Sequence, residues 1–138
     1  MLRIKNFIVM KENVIKEKSY QFALMVIELS KHLIKGNEFV LSRQLLRSGT
    51  SIGANVEEAL AGQSRADFLS KMSIASKEAR EANYWLRLLR DSKTCDEISL
   101  GPVLLESEAL INILSSIVKT TSARSATTIQ NSKLRIKN

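Results

Sequence analysis

The feature that most constrains this chain is the spacing of its apolar and small residues, which recur alternately four and three positions apart in four separate segments. Residues at that spacing lie on one face of an α-helix, so each segment predicts an amphipathic helix with one side to bury. The first helix is predicted from Asn13 to Lys35, and Gly36 and Asn37 end it because both tolerate the left-handed conformation that closes helices. Its buried row is Ile15, Ser19, Phe22, Val26, Leu29 and Leu33.

The second and third helices are predicted from near Phe39 to Gly62 and from about Arg65 to Ser92. Their buried rows are Leu45, Gly49, Ile52, Val56 and Ala59 in the second helix, and Phe68, Met72, Ala75, Ala79, Ala82, Leu86 and Leu89 in the third. Glycine is less favourable than alanine inside a helix by about 1 kcal/mol, so Gly49 and Gly53 indicate close packing. The alanines in the middle of the third helix offer a small face that we expect to lie against these glycines.

The fourth helix is predicted to carry Pro102 in its first turn, after a polar connector at 93–101. Its buried row is Leu104, Ser107, Ile111, Leu114 and Val118. Four such segments with short connections predict an all-α fold, an antiparallel up-down-up-down four-helix bundle. The bundle is expected over residues 13–121, with an N-terminal extension at 1–12 and a loose basic tail at 122–138.

The net charge of +7 suggests polyanionic partners, but the charge is unevenly placed. Residues 1–20 carry +3 and residues 121–138 carry +4, so the body of the chain sums to zero. Basic tails are more often solvated than dedicated to nucleic acid, and the one local excess in the body lies at 61–80. The candidate phosphate contacts there are Arg65, Lys71, Lys77 and Arg80, although the two lysines can equally serve solubility.

Residues able to carry catalysis are scarce. His32 is the single histidine and is interpreted as a surface or rim residue; Cys95 is the single cysteine and is interpreted as an incidental thiol. One cysteine excludes an intramolecular disulfide and argues against most zinc arrangements, which need several Cys or His ligands at short spacing. Glu-x-x-His pairs and the Walker phosphate loop are both missing from the sequence. We therefore predict no catalytic, cofactor-binding or metal-binding residue, and no enzyme activity.

The cellular setting follows from composition. No apolar run approaches the roughly 20 residues of a membrane span, and the apolar stretch at 7–10 is too short for a signal-peptide core. A lone cysteine fits a reducing compartment. We expect a cytoplasmic protein without membrane contact.

A polar row runs beside the apolar row of the second helix. It consists of Gln44, Ser48, Ser51, Asn55 and Glu58, again four and three positions apart. The row either faces water and makes hydrogen bonds within the bundle, or forms a subunit or partner contact. Short polar residues are weaker helix formers than the lysine and glutamate of an ordinary exposed face.

Two segments carry a family resemblance. RSGTSIGANVEEA at 47–59 and FLSKMSIASKEAREANYWLRLL at 68–89 resemble the bacterial four-helix-bundle proteins named after 23S rRNA intervening sequences, whose relatives include the accessory variability proteins of diversity-generating retroelements. The similarity covers about residues 10–121. The matching residues are Ser48, Ser51, Ile52, Asn55 and Glu58 in the first segment, and Lys77, Glu78, Glu81, Tyr84, Trp85 and Leu86 in the second. Ala82 departs from the expected threonine, and 59–61 replace a more usual glycine-containing turn.

The resemblance implies a ring-like homopentamer. In the retroelement relatives the oligomer is similar to a basic barrel that binds a reverse transcriptase and nucleic acid. The partners implied for this chain are RNA or DNA, and a reverse transcriptase or another RNA-associated protein. It also implies that family members start near Met10 of this sequence. The residues assigned by it to helix or subunit packing are Ser48, Ser51, Asn55, Glu58, Glu78, Glu81 and Trp85.

Two functions follow as expectations. The first is a non-enzymatic, oligomeric helical protein that binds RNA or an RNA-associated protein. The alternative is a protein–protein adaptor without nucleic-acid affinity, which docks a partner through the polar row or through the edge formed by Tyr84 and Trp85. Those two aromatic residues can also be core or subunit packing.

Overall fold

The computed structural model describes residues 2–137 and consists, over that range, of four α-helices and no strand. The helices are α1 (Leu2–Lys35), α2 (Val40–Ala61), α3 (Arg65–Asp91) and α4 (Glu97–Lys137). Each helix packs against the next one in the chain, and α4 packs back against α1. The predicted all-α, four-helix fold is confirmed.

Contacts between the helices establish their relative directions. Arg47 near the start of α2 pairs with Glu81 late in α3, whereas Glu58 near the end of α2 pairs with Lys71 near the start of α3. The two helices therefore run in opposite directions. The same reversal is seen in the contacts Lys11–Ser116 and Lys18–Glu106 between α1 and α4, and in Asn83–Ser107 and Arg65–Thr128 between α3 and α4.

The core contains nearly all of the predicted rows. Every residue of the predicted buried rows of α1 and α2 is buried. The α3 row is also buried apart from Phe68, which is half-buried. In α4 the row is displaced: Leu110 and Ile117 are buried, whereas Ile111 and Val118 lie half-buried at its flank. The buried stripe of a bundle helix is broad enough to include adjacent positions, and a strict four-three count selects only part of it.

The start of α4 differs from the prediction. The helix begins at Glu97, five residues before Pro102, because Asp96 caps it: the backbone N–H of Ser99 donates to Asp96 Oδ1 at 2.8 Å, and the Ser99 hydroxyl donates to Oδ2 at 3.1 Å. Such a side-chain cap satisfies donors that the first turn of a helix leaves without partners. Pro102 consequently lies in the second turn, and the connector shortens to residues 92–96.

The ends of the chain are also more helical than predicted. α1 is continuous from Leu2, and α4 continues to Lys137 through the segment expected to be loose. Once a helix exists, each added residue costs little, and the Ala, Arg, Lys, Leu and Gln of 122–137 favour extension. Most side chains after Thr121 are exposed, and the extension contacts the bundle through Thr128, which accepts a hydrogen bond from Arg65 of α3.

By length and composition alone, α4 is apolar enough to cross a membrane. A core helix of a soluble protein passes the same test, and the buried α4 residues Leu100, Leu110 and Leu114 pack in the bundle.

The two glycines of α2 face α1, contrary to the prediction that they lie against the alanines of α3. A Cβ atom placed on Gly49 would lie 2.8 Å from Val26 Cγ2, and one placed on Gly53 would lie 3.4 Å from the Ser19 carbonyl oxygen. The spacing identified a position of close approach, but the neighbour is the preceding helix. Gly49 thus lets α1 and α2 pack closely at Val26.

Buried hydroxyl groups mostly bond within their own helix. Ser19, Ser42, Ser48 and Ser107 each donate to a carbonyl three or four residues earlier. In residues 2–137, one fully buried side-chain hydrogen bond joins two helices: Asn83 Nδ2 of α3 donates to Ser107 Oγ of α4 at 2.9 Å.

Candidate functional site

The four predicted phosphate contacts do not form one patch. Lys71 lies on the α2 side of α3, where its Nζ is 3.1 Å from Glu58 Oε2, so its charge is compensated. Arg65 and Arg80 lie on the α4 side and are exposed, as is Lys77. The structure brings the two arginines to one side of the molecule and places Lys71 elsewhere.

Both arginines are held by neutral groups. Arg65 Nη1 donates to Thr128 Oγ1 at 3.2 Å, and Arg80 Nη2 donates to Ser115 Oγ at 3.0 Å. Within residues 2–137 neither is in an ion pair. A guanidinium group has five N–H donors, so each side chain is oriented by α4 and still has donors and an uncompensated charge to offer a ligand.

Arg87 belongs to the same side and was not predicted. It follows Arg80 by seven residues, two helical turns, and its Nε donates to Asn83 Oδ1 at 2.9 Å. Its guanidinium carbon lies 5.8 Å from the centre of the Tyr84 ring. We name Arg65, Arg80 and Arg87 the arginine edge; it extends about 33 Å along α3 at 1.5 Å per residue. The seven-residue interval from Arg80 was the available sequence signal.

The polar row of α2 lies at the boundary with α3. Ser48 is buried and donates to the Gln44 carbonyl oxygen at 3.0 Å, while Asn55 Nδ2 donates to the Ser51 carbonyl oxygen at 2.9 Å. These hydrogen bonds are internal to α2. The exposed Glu58, which pairs with Lys71 of α3, is the member of the row that forms an ion pair between helices.

The principal ionic link between α2 and α3 involves Arg47, which sequence reasoning missed. Its Nη1 lies 3.3 Å from Glu78 Oε2, and its Nη2 contacts Glu81. Burial raises the pKa of Glu78 above its usual value, and this outweighs the opposing effect of Arg47. Arg47 precedes Ser51 by four residues, one helical turn, and this spacing was the sequence signal that could have placed it beside the polar row.

Tyr84 and Trp85 have different environments. Their rings meet edge to face, with centroids 5.1 Å apart and an interplanar angle of 66°. Trp85 packs against the core, and its Nε1 is shielded from solvent without an acceptor among the residues that the structure describes. Tyr84 is 46% exposed. Trp85 is therefore a packing residue, and Tyr84 provides exposed aromatic surface.

One cluster of chemically active side chains was not anticipated. His32 at the end of α1 meets Cys95 and Asp96 of the α3–α4 connector, and one ligating atom from each lies within 4.8 Å of the other two. Burial, together with the charge of Asp96, raises the pKa of the Cys95 thiol. The thiol is therefore protonated at neutral pH, which is the opposite of an activated nucleophile.

Comparison with known proteins agrees with the fold. The family model described as 23S rRNA-intervening sequence protein matches residues 11–116. The crystal structure of a protein of unknown function from the S23 ribosomal protein family of Bacteroides thetaiotaomicron is 46% identical, with a TM-score of 0.76 over 79% of this chain and 98% of that chain. No curated protein matches. The chain belongs to the 23S rRNA-intervening sequence protein family.

Proposed function

We propose that the protein is a non-enzymatic helical bundle that binds RNA through the arginine edge. The observation that carries this proposal is that Arg65 and Arg80 are oriented by hydroxyl groups of α4 and have no carboxylate partner within residues 2–137. Arginines in that state favour phosphate, since phosphate accepts several of their N–H groups at once. The net charge of +7 supports the same partner class.

The proposal includes association of several copies of the chain, with the homopentamer implied by the family resemblance as the expected form. Tyr20 and Leu24 support a subunit contact, because they are one turn apart on α1 and are 59% and 44% exposed. Association would repeat the arginine edge in each copy, and several weak phosphate contacts on one RNA would then act together. Light scattering of the purified protein measures the number of copies.

The test is fluorescence anisotropy with labelled structured RNA and duplex DNA, at about 50 and 200 mM salt. Phosphate contacts release counterions, so binding should weaken steeply over this range. Arg65→Ala and Arg80→Ala should each reduce the slope of affinity against salt by about one contact per chain.

The matched control is Arg43→Ala, which removes an exposed arginine of α2 away from the edge. Its effect on the salt slope should be smaller than that of either edge variant. Equal effects of all three variants would show that net charge, and not the arginine edge, governs binding.

The second candidate is an adaptor that docks a reverse transcriptase or another RNA-associated protein. It is favoured by the exposed Tyr84, which is flanked by Trp85 and Arg87; these three residue types are enriched where protein interfaces concentrate their binding energy. No nucleic-acid binding at low salt would support this candidate. Tyr84→Ala should then abolish capture of the partner while leaving the helical content unchanged.

A further inference from the structure

The cluster of His32, Cys95 and Asp96 unites three different metal-ligating groups from two elements that are distant in sequence. His32 is in the last turn of α1, and the other two residues immediately precede α4. One ligating atom from each residue lies within 4.8 Å of the other two. From this geometry we infer a binding site for a divalent transition-metal ion, with Zn²⁺ as the best match.

The connector holds two of the ligands in place. Cys95 is only 8% exposed, and Asp96 is fixed as the cap of α4 by its two hydrogen bonds with Ser99. Before the cluster, the backbone N–H of Thr94 donates to the Leu89 carbonyl oxygen at 3.1 Å. The turn is thus anchored to α3 on one side and to α4 on the other, while the exposed His32 has room to adjust.

The ligand chemistry suits zinc. A thiolate, an imidazole and a carboxylate are the three protein ligand types of Zn²⁺, and three protein ligands leave a fourth tetrahedral position for water. Bond lengths of about 2.0–2.3 Å place neighbouring ligand atoms roughly 3.5 Å apart, so a pair of atoms at the full 4.8 Å has to approach by about 1.3 Å. A bound cation would also favour the thiolate form of Cys95.

The surroundings leave space beside the site. His32 and Ser99 line a groove of about 510 Å³ between α1 and α4, whose other walls are mainly apolar. Its apolar lining residues are Leu24, Met25, Leu29, Pro102 and Val103. The imidazole is therefore shared between the cluster and an open groove.

The chain offers an unusually direct test because it contains one histidine and one cysteine. The reduced full-length protein is titrated with Co²⁺ and then with Zn²⁺. Co²⁺ bound at the site should produce a thiolate-to-cobalt charge-transfer absorption, saturating at one ion per chain, and Zn²⁺ should displace it. Any such absorption can arise only from Cys95.

Substituting each proposed ligand in turn tests which residues bind the metal ion. Cys95→Ser should abolish the charge-transfer absorption, and His32→Gln, which changes an exposed side chain, should weaken affinity for both ions at least about tenfold. Asp96→Asn should weaken affinity similarly while keeping the α4 cap, since asparagine caps helices as well as aspartate does. Asp91→Asn is the matched control, because it removes an exposed aspartate outside the cluster and should leave affinity unchanged.

The inference is overturned by any of three results. These are no cobalt absorption in the reduced protein, an affinity that His32→Gln leaves unchanged, or saturation at one ion per two chains, which would mean a thiol-bridged pair. Because the His32 variant alters an exposed residue, its result does not depend on the refolding of the core.

Discussion

Replacing Gly49 with alanine tests how tightly α1 and α2 pack. The added Cβ would lie 2.8 Å from Val26 Cγ2 and 2.9 Å from Val26 Cγ1, closer than nonbonded carbons can approach. Val26 is fully buried, and a β-branched side chain in a helix has one strongly preferred rotamer, so its methyl groups cannot turn away. Either the two helices move apart or the Val26 side chain leaves its preferred rotamer.

The magnitude follows from two opposing effects. Overpacking a closely packed core costs about 1–3 kcal/mol, and the stiffness of Val26 places this site in the upper half of that range. Alanine recovers about 1 kcal/mol through its better helix propensity. We therefore expect Gly49→Ala to lower the free energy of unfolding by about 1–2 kcal/mol.

The assay is urea denaturation followed by circular dichroism, at one fixed protein concentration because association would shift apparent stability. Gly53→Ala is the control: its Cβ would meet Ser19 at an ordinary 3.4 Å, so it should leave stability unchanged or raise it by up to about 1 kcal/mol. The double variant Val26→Ala, Gly49→Ala should be less destabilised than the sum of the two single variants. A Gly49→Ala protein as stable as the wild type would refute the close-approach argument.

Two further changes address polar groups between helices. Asn83→Ala should lower the free energy of unfolding by about 1–3 kcal/mol, because it removes the buried hydrogen bond to Ser107; the exposed Asn112→Ala should stay within about 0.5 kcal/mol of wild type in the same urea assay. Glu78→Gln concerns pH: since the folded protein raises the pKa of Glu78, the fold binds that proton more readily than the unfolded chain does. The resulting stability is present below about pH 4.5 and is lost as the pH rises through the folded-state pKa of Glu78. Glu78→Gln should therefore remove this decline in stability from urea midpoints measured between about pH 4 and 7. A decline that the substitution leaves unchanged would show that other groups cause it.

The sequence predicted the buried faces well where helical spacing alone decides them. Phe22 of α1 and Leu45 of α2 are buried as predicted, because each row faces the core over its whole length. The predicted start of α4 was wrong because two local sequence signals compete. Pro102 is compatible with a first turn, but Asp96 caps the helix earlier and determines where it begins.

The spacing of apolar residues does not predict which neighbouring helix a buried face packs against. The position of Gly49 in its row indicates a close approach, but not whether α1 or α3 makes it. His32 and Cys95 are 63 residues apart, and no local pattern links them. Their proximity results from the length of α1 and the position of the α3–α4 connector, both of which are properties of the assembled bundle.

The hydrogen bond between Asn83 and Ser107 also bears on how the helices are aligned along their length. The other buried hydroxyl bonds of Ser19, Ser42 and Ser48 stay within one helix, so they are retained if neighbouring helices slide past one another. Apolar rows repeating every seven residues tolerate such a slide, because leucine or alanine would again meet apolar surface. A shift of α3 against α4 would instead separate Asn83 from its acceptor and leave a buried amide unsatisfied, at a cost of about 1–3 kcal/mol. In a core built mainly from interchangeable apolar contacts, this one pair distinguishes the native alignment of α3 and α4 from its shifted alternatives.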